Sequence, residues 1–250
     1  MTQIHPSAIV APEAEIADDV VIGPFCLVGP KVKIGAGTVL RSHVVVEGST
    51  VIGERNVVYA GASIGCHPQD KKYRGEDTRL VVGDDNVIRE NCTMSIGTTQ
   101  DEGLTTVGSR NLFMANAHVA HDCHVGNDVI LANNVALGGQ AAVHQFCRVG
   151  AYAMVGGASG VLQDVPPYVI SHLNPCRVAG LNIVGLRRAG FTDEQIRALR
   201  KAYGHFYREN LTVKEAAVKI EALKADFPGA VNELDHFLTF VTTSPRGVIR

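Results

Sequence analysis

The sequence has no tryptophan, no Cys-x-x-Cys pair and no apolar run long enough to cross a membrane. Its 23 Lys and Arg residues nearly balance 25 Asp and Glu residues, so nothing favours a nucleic acid or a membrane surface as partner. The N-terminus lacks the charged and apolar regions of a signal peptide, and a cytoplasmic location is therefore expected. The six cysteines are scattered, which favours reduced structural thiols over a disulfide framework or a zinc ribbon.

What the sequence does contain is a repeat of six residues. Glycine, valine and isoleucine are abundant, which favours short strands and tight turns. Aliphatic residues occupy every sixth position in a first run: Ile4, Val10, Ile16, Ile22, Val28, Ile34, Leu40, Val46, Ile52, Val58 and Ile64. A second run of apolar residues keeps the same period: Val107, Phe113, Val119, Val125, Leu131, Leu137, Val143, Val149, Val155 and Val161.

Neither a helix, with its period of 3.6, nor a single strand, with its period of 2, explains this repeat. A coil of very short strands does, if each hexad forms one face and points its aliphatic residue inward. Three hexads then close a triangular turn that stacks on the next turn at about 4.8 Å. The sequence therefore predicts a mainly β protein, a parallel β-helix of hexapeptide repeats.

The period also divides the chain into regions. Residues 1–168 are predicted to form the β-helix, and polar interruptions near 66–81 and 95–106 predict loops that extend from it. Residues 169–190 are predicted to be a connector. Residues 191–250 are predicted to form an α-helical C-terminal domain. This end of the chain is the more basic one, because residues 187–250 carry eleven Lys and Arg residues against eight Asp and Glu residues.

Helix signals begin where the period of six ends. Thr192 with Gln195, and Thr212 with Glu215, have the spacing of capping boxes. Apolar residues at helical spacing follow: Ile196, Leu199, Tyr203 and Phe206, then Ala216, Ile220 and Leu223, then Leu234, Phe237, Leu238 and Val241. About three helices are predicted.

The string "NAHVAHDCHVGND" places three histidines three residues apart. It could be a metal site, a base with a partner, or an exposed polar turn. On a six-residue β-coil, His118 and His124 fall at equivalent points of successive faces and His121 lies between them, so a metal triad within one chain is not favoured. His121 with Asp122 is then the candidate base.

Several strings together resemble one enzyme family: "IGPFCLVGP", "SHVVVEGST", "QDKKYRGE", "NAHVAHDC", "AVHQFC", "QDVPPYVI" and "RGVIR". The family is the acyl-carrier-protein-dependent UDP-N-acetylglucosamine O-acyltransferases of lipid A biosynthesis. The resemblance implies a left-handed β-helix and a homotrimer with active sites between subunits. It also implies transfer of a 3-hydroxyacyl group from the phosphopantetheine of acyl carrier protein to the 3-hydroxyl of UDP-N-acetylglucosamine, with no metal and no resident cofactor.

The resemblance also implies roles for particular residues. His121 matches the general base, Asp122 an acid that orients it, and His118 a residue that helps to hold substrate. Asp70 and Lys72 match contacts to the nucleotide sugar and its phosphates. The other implied positions are His144 and Gln145 for substrate, the Gly139 N–H as oxyanion donor, Gly157 for acyl length, and Asn182 and Arg188 for the pantetheine and nucleotide.

The implied chemistry suits these residue types. A sugar hydroxyl is a poor nucleophile at neutral pH, and a general base that takes its proton contributes about 10²–10⁴ in rate. One preorganised donor to the oxyanion contributes about 10²–10³. No covalent intermediate is needed, so Cys123 is expected to be structural.

The chain departs from the family pattern in three places. Around "NNVALGGQAAVHQF" it is about two hexads shorter, and Gln140 stands at or beside the place of a histidine. Because three hexads make one coil, this loss is expected to move His144 and Gly157 onto a different face relative to His121. Ser95 replaces another family histidine. Two polar positions of "LNIVGLRRAGF" are also lost, an acid at Val184 and an arginine at Ala189.

Two alternatives stay open at this stage. One is a zinc-dependent enzyme similar to the gamma-class carbonic anhydrases, in which histidines from neighbouring subunits bind the metal. The other is a non-catalytic or degenerate hexapeptide scaffold that binds carrier protein without turnover.

Overall fold

The computed structural model describes residues 1–131 and 142–250. Within them, 25 short strands form three sheets, which are the three faces of a coil. The chain passes from sheet 1 to sheet 2 to sheet 3 and then returns to sheet 1. The β-helix predicted from the period of six is confirmed, and so is its left-handed fold class.

The strands, numbered in chain order, are as follows. Sheet 1 contains β1 (Gln3–Ile4), β4 (Val21–Ile22), β7 (Val39–Leu40), β10 (Val57–Val58), β13 (Val87–Ile88), β16 (Leu112–Phe113), β19 (Ile130–Leu131), β22 (Met154–Val155), β24 (Val169–His172) and β25 (Arg177–Leu181). Sheet 2 contains β2 (Ile9–Val10), β5 (Leu27–Val28), β8 (Val45–Val46), β11 (Ser63–Cys66), β14 (Thr93–Ser95), β17 (His118–Val119), β20 (Ala142–Val143) and β23 (Gly160–Val161). Sheet 3 contains β3 (Glu15–Ile16), β6 (Lys33–Ile34), β9 (Ser49–Ile52), β12 (Arg79–Val82), β15 (Leu104–Val107), β18 (His124–Val125) and β21 (Arg148–Val149).

The periodic aliphatic residues form the core of the coil. Leu40, Val46 and Ile64 have no exposed surface, and in the two-residue strands of Leu40 and Val46 the first residue points outward. Full burial of such a side chain contributes about 1.5–3 kcal/mol. Among the periodic residues of the two described ranges, the exceptions lie at the open end of the coil, where Ile4 is exposed.

Two kinds of residue let the faces turn and stack. Some glycines follow the inward residue because neighbouring coils approach closely: a Cβ on Gly35 would lie 2.5 Å from the carbonyl carbon of Gly53. The third residue after the inward one takes the left-handed conformation and turns the corner, as at His43 (φ 58°) and Asp122 (φ 59°). These corner residues are mostly not glycine.

Both polar interruptions of the repeat leave the coil at one corner. The segment 67–78 connects β11 in sheet 2 to β12 in sheet 3, and the segment 96–103 connects β14 to β15 in the same way. A regular coil takes 18 residues, as from Leu112 to its neighbour Ile130, whereas 30 residues separate the paired Ser63 and Thr93. The corner between sheets 2 and 3 therefore collects the inserted chain.

The prediction that the residues after the shortened segment move to a different face of the coil is wrong. Leu131 lies in sheet 1, and Val143 is two hexads further on, so a count of one hexad per face places Val143 in sheet 3. In the structure Val143 lies in β20, which pairs with β17 in sheet 2 and places Val143 opposite Val119. The following strands keep the same spacing of 24 residues, as His124 pairs with Arg148. An aliphatic residue stacks equally well on any of the three faces, so the period cannot tell them apart.

The coil ends in a small antiparallel hairpin and a helical region. Strand β24 pairs with β25, and α1 (Ile183–Arg188), α2 (Asp193–Tyr207), α3 (Val213–Asp226) and α4 (Val231–Thr242) follow, with a 3-10 turn at Pro228–Ala230 before α4. The segment predicted as a connector thus contains β24, β25 and α1. None of the helices in the two described ranges combines the length and the apolar character that a membrane span needs.

The capping boxes predicted at Thr192 and Thr212 are both formed, at the starts of α2 and α3. The predicted apolar stripes meet in a second core, which includes Leu199, Phe206 and Phe237. The chain end returns to the coil, where the Ile249 N–H donates to the Asp164 carbonyl. The buried Asp164 carboxylate also accepts from Arg148 and from the Ser244 hydroxyl.

Candidate active site

His121 and Asp122 form a buried pair at the corner between sheets 2 and 3. Nδ1 of His121 lies 2.6 Å from Oδ2 of Asp122, and the residues are 2% and 0% exposed. A carboxylate only accepts hydrogen bonds, so the contact favours the tautomer with the proton on Nδ1. Nε2 of His121 has no partner within the described part of the chain. The lone pair on this Nε2 is the one that a general base would use.

The Asp122 carboxylate is held from the loop 96–103. Its Oδ1 accepts from the Thr98 N–H at 2.7 Å, and its Oδ2 accepts from the Thr98 hydroxyl at 2.6 Å. The Asp122 N–H in turn donates to Oγ1 of Thr105 at 2.8 Å. A buried carboxylate needs such donors because it has lost its water. Both oxygens of Asp122 are therefore committed.

His118 lies on the outer side of sheet 2 and its ring nitrogen Nδ1 is 2.7 Å from the Thr93 hydroxyl. Burial lowers the pKa of His118, and the charge of His121 lowers it further. A neutral His118 can donate or accept a hydrogen bond from substrate without a charge. His124 makes the same kind of contact with Thr106, but on sheet 3.

Asp70, Lys72 and Gln100 form a polar cluster beside this corner. Nε2 of Gln100 donates to Oδ2 of Asp70 at 2.6 Å, and Nζ of Lys72 donates to Oε1 of Gln100 at 3.0 Å. The pKa of Asp70 is lowered by the N–H of Lys72, then by the Gln100 amide, and to a smaller extent by the charges of Lys72 and His121. Lys72 is exposed and its charge faces solvent.

The coil above contributes a second set of residues to the same corner. Since Val143 lies opposite Val119, Gln145 occupies the corner position that His121 occupies one coil below. The Phe146 ring meets the His121 ring edge-on at 5.7 Å between centroids. His144 is exposed, with Nδ1 at 3.3 Å from the carbonyl of Gln145. The register thus places His144 and Gln145 one coil above Ala120 and His121.

Other residues predicted for the site lie elsewhere. Gly157 lies in the turn between β22 and β23, at the corner between sheets 1 and 2, away from His121. Arg188 is exposed at the end of α1. Asn182 is 6% exposed, and its amide caps α1 by accepting from the Gly185 N–H and donates to the Tyr152 carbonyl. Its side chain is therefore used within the chain. Gly139 and Gln140 lie outside the described residues.

The three replaced family positions have different surroundings. Ser95 is buried at the end of β14, at 2% exposure. Val184 is exposed on α1, and Ala189 follows that helix as its C-terminal cap residue. None of the three donates to or accepts from the His121–Asp122 pair.

Sequence reasoning missed Thr98, Thr105 and Gln100. They lie in or next to the polar string "SIGTTQDEGLTT", which breaks the period of six. The interruption marked the loop, but threonine and glutamine are ordinary loop residues and nothing in their spacing distinguished them. In the described ranges, no three His, Cys, Asp or Glu side chains converge as a metal site would require.

A buried histidine with a free Nε2, oriented by a carboxylate and set at the corner of a hexapeptide coil, is suited to removing a proton from a hydroxyl. The family model "Bacterial transferase hexapeptide (six repeats)" matches residues 104–139. Fold and site together define a hexapeptide-repeat transferase.

Further comparisons identify the family within this class. The family model "Udp N-acetylglucosamine O-acyltransferase; Domain 2" matches residues 164–249. The structure is similar to LpxA from Acinetobacter baumannii, with 45% identity, 99% of each chain covered and a TM-score of 0.83. It is similar to UDP-N-acetylglucosamine O-acyltransferase (LpxA) from Moraxella catarrhalis, with 45% identity, 99% of each chain covered and a TM-score of 0.84. For the Francisella novicida UDP-N-acetylglucosamine acyltransferase the identity is 38%, the covered shares are 99% of this chain and 94% of that one, and the TM-score is 0.84.

The chain belongs to the UDP-N-acetylglucosamine O-acyltransferase family. The family predicted from the sequence strings is thereby confirmed. The comparisons support this prediction and not the zinc enzyme or the non-catalytic scaffold.

Proposed function

We propose that this protein transfers a 3-hydroxyacyl group from the thioester of acyl carrier protein to the 3-hydroxyl of UDP-N-acetylglucosamine, the first step of lipid A biosynthesis. The observation that carries this proposal is the free Nε2 of His121, held by Asp122 beside the polar cluster of Asp70, Lys72 and Gln100. A cytoplasmic location is part of this proposal.

His121 is the general base of the proposed reaction. Its Nε2 accepts the proton of the sugar hydroxyl as the oxygen attacks the thioester carbonyl carbon. The carbon–oxygen bond forms and the carbonyl becomes an oxyanion. When the tetrahedral intermediate collapses, the carbon–sulfur bond breaks and the imidazolium returns the proton to the leaving thiolate. Asp122 stabilises the imidazolium while it carries that proton.

The oxyanion needs a donor that is already in place before the attack. We assign this role to the backbone N–H of Gly139, on the family resemblance. Neither a metal nor a resident cofactor is required by this chemistry, because the donor thioester is already activated. Cys123 is fully buried, and burial raises the pKa of its thiol, which suits a structural residue rather than a nucleophile.

The nucleotide sugar is proposed to bind along the corner between sheets 2 and 3. Lys72 supplies an exposed positive charge for the phosphates, and Asp70 supplies an acceptor for a sugar hydroxyl. His118 lies on the adjoining face and Gln145 one coil above. We propose that these groups orient the 3-hydroxyl towards Nε2 of His121.

The partner acyl carrier protein is proposed to dock at the helical end of the chain. Exposed basic side chains gather there: Arg177, Arg187, Arg188, Arg197, Arg200, Lys201 and Arg208. Carrier proteins are acidic, so charge complementarity favours this end. The phosphopantetheine arm would then reach from the helices towards the coil corner.

A homotrimer is proposed because the outward side of sheet 1 is apolar. The outward row of sheet 1 is apolar over seven neighbouring strands: Val21, Val39, Val57, Val87, Leu112, Ile130 and Met154. The equivalent row of sheet 3 contains Glu15, Lys33 and Arg148. An apolar face of this extent favours cover by a second copy. Gly157 and Arg188, which lie away from His121 in their own chain, would serve the site of a neighbouring subunit.

The test is a transfer assay with a 3-hydroxyacyl carrier protein and UDP-N-acetylglucosamine. The wild-type protein is expected to release the carrier thiol and to form the acylated nucleotide sugar. His121→Ala is expected to lose this activity and to keep its assembly. His124→Ala, from the same histidine string but on sheet 3, is the matched control and is expected to stay active. Full activity of His121→Ala would disprove the base assignment, and an inactive wild type would disprove the function.

A further inference from the structure

Thr98 connects the catalytic pair to the loop beside it through three hydrogen bonds. Its N–H and its hydroxyl both donate to the Asp122 carboxylate, at 2.7 and 2.6 Å. The oxygen of that hydroxyl accepts from the Gln100 N–H at 3.3 Å. Thr98 is 2% exposed and has no role in the proton transfer described above.

We propose that Thr98 is a positioning residue of this transferase, which fixes the Asp122 carboxylate so that His121 presents an unprotonated Nε2 to the acceptor hydroxyl. The proposal rests on the proposed function. It goes further because it assigns a task to the loop 96–103 that neither the base nor the substrate contacts explain.

The geometry leaves the Asp122 carboxylate a single orientation. Oδ1 faces the Thr98 N–H, and Oδ2 is shared between the Thr98 hydroxyl and Nδ1 of His121. Rotation of the carboxylate would break all three contacts at once. The Thr98 hydroxyl oxygen also accepts from the Gln100 N–H, and this contact directs the hydroxyl proton towards Asp122. Without the hydroxyl, Oδ2 of Asp122 keeps only its hydrogen bond with His121 and is held less firmly. The carboxylate then selects the Nδ1-protonated tautomer of the imidazole less strongly.

Thr98 also connects the base to the nucleotide-sugar cluster. Two residues further on, the Gln100 side chain holds Asp70 and Lys72. The path from Lys72 to His121 therefore runs through Gln100, Thr98 and Asp122 without a gap. The residues proposed to hold the sugar nucleotide, in the segment 67–78, and the partner of the base, at the coil corner, are therefore hydrogen-bonded to the same loop 96–103.

The test compares two substitutions at Thr98 with a matched control. Thr98→Val keeps the shape and removes the hydroxyl, and Thr98→Ser restores it. The control is Thr38→Val, because Thr38 is also fully buried and its hydroxyl also makes two bonds, to the Gly53 carbonyl at 2.9 Å and from the Asn56 N–H at 3.1 Å. It lies in a distant coil. Should Thr98→Val fail to fold, Thr98→Ala removes the same hydroxyl and is scored in the same way.

Thr98→Val is expected to lower kcat by about 10–100-fold, a large part of what a general base supplies. KM for the nucleotide sugar should change little, because the hydroxyl does not face substrate. Thr98→Ser should recover most of kcat, and Thr38→Val should lose stability without losing kcat. Equal kcat for Thr98→Val and Thr38→Val, or failure of serine to rescue, overturns the proposal.

A second readout does not depend on turnover. In ¹⁵N-histidine NMR spectra, His121 of the wild type is expected to show a protonated Nδ1 and an unprotonated Nε2, and His121→Asn assigns the signals. Thr98→Val is expected to produce a mixture of tautomers, whereas Thr98→Ser and Thr38→Val keep the wild-type pattern. An unchanged pattern in Thr98→Val overturns the proposal. The transfer assay and the spectrum fail separately. A wild type that transferred no acyl group would disprove the proposed function, and the NMR spectrum would still show whether Thr98 selects the tautomer of His121.

Discussion

Nδ1 of His121 lies 2.6 Å from Oδ2 of Asp122, although the two residues are adjacent in the chain. Adjacent side chains on a strand point to opposite faces and cannot meet. Here the left-handed conformation of Asp122, with φ 59°, turns the chain at the corner and brings both side chains together. The candidate base and its partner therefore depend on a corner of the coil and not on a strand.

Asp122→Asn tests this relationship. The amide can donate to Nδ1 and so favours the wrong tautomer of His121, and kcat should fall by about 10²–10⁴. Asp128→Asn is the matched control, because Asp128 is also an aspartate in the left-handed conformation, with φ 56°, paired at the surface with Arg110. Steady-state kinetics should give the control wild-type kcat. A loss of the same size in both variants would mean that any corner aspartate matters.

Lys72→Ala should weaken binding of the nucleotide sugar. The exposed ammonium group is proposed to pair with phosphate, and loss of a charged hydrogen bond corresponds to about a 10–100-fold rise in KM. Lys71→Ala removes an equal charge from the neighbouring position and should leave KM within error. Initial-rate measurements at several salt concentrations check both. Equal effects of the two substitutions would indicate a general charge effect rather than a contact.

The stability of the fold should decrease in mild acid. Burial lowers the pKa of His118, and burial also lowers the pKa of His236 against an opposing effect of Glu233. Each folded pKa then lies below the unfolded value of about 6.5, so protonation favours the unfolded chain. The contribution of the two neutral histidines to the free energy of unfolding is complete above the unfolded pKa, and it is lost as the pH falls through the folded pKa. Denaturant midpoints measured from pH 7 downward should decline, and less steeply in His118→Asn. An identical pH dependence of both proteins would contradict this.

Asp164→Asn should destabilise the junction between the coil and the chain end. The carboxylate is fully buried and pairs with Nε of Arg148 at 2.7 Å. Leaving that arginine unpaired should cost about 3 kcal/mol, the low end for buried pairs, because the Arg148 side chain is 25% exposed. Asp85→Asn breaks the exposed pair with Arg55 and should change stability little. Chemical denaturation followed by circular dichroism measures both, and an equal shift in the two variants would speak against a special role for the buried pair.

Leu112→Asp should separate the proposed trimer. Leu112 lies in the apolar outward row of sheet 1, and a charge there would be buried between copies. Val51→Asp places the same charge on the outward side of sheet 3 and should leave the assembly intact. Sedimentation velocity gives the mass of each variant. A trimer that persists in Leu112→Asp would place the interface on another face.

The strongest predictions came from features that repeat or that act locally. A strict period of six indicates which residues point inward, since only those positions stay apolar on every face. The boxes at Thr192 and Thr212 indicate helix starts, because their hydrogen bonds involve only residues three apart. The buried pair of His121 and Asp122 could be proposed as well, because both residues share one string and one corner.

The positions of the supporting residues could not be predicted. Thr98 and Gln100 act through contacts across 24 and 30 residues of chain, which no local pattern encodes. Asn182 matched a family substrate contact, yet its amide caps a helix and contacts Tyr152 across the fold. Whether a polar side chain serves a ligand or the chain itself depends on what the fold places next to it.

The period of six and the capping boxes are enough to predict that the chain coils, which residues fill the coil and where α2 and α3 begin. The face that each later residue occupies follows from the folded chain and not from these patterns. The reason is physical: apolar stacking repeats every six residues and is equally favourable on all three faces, whereas the backbone hydrogen bonds between β17 and β20 exist in one register only. That register places Gln145 and Phe146 above His121 and Asp122.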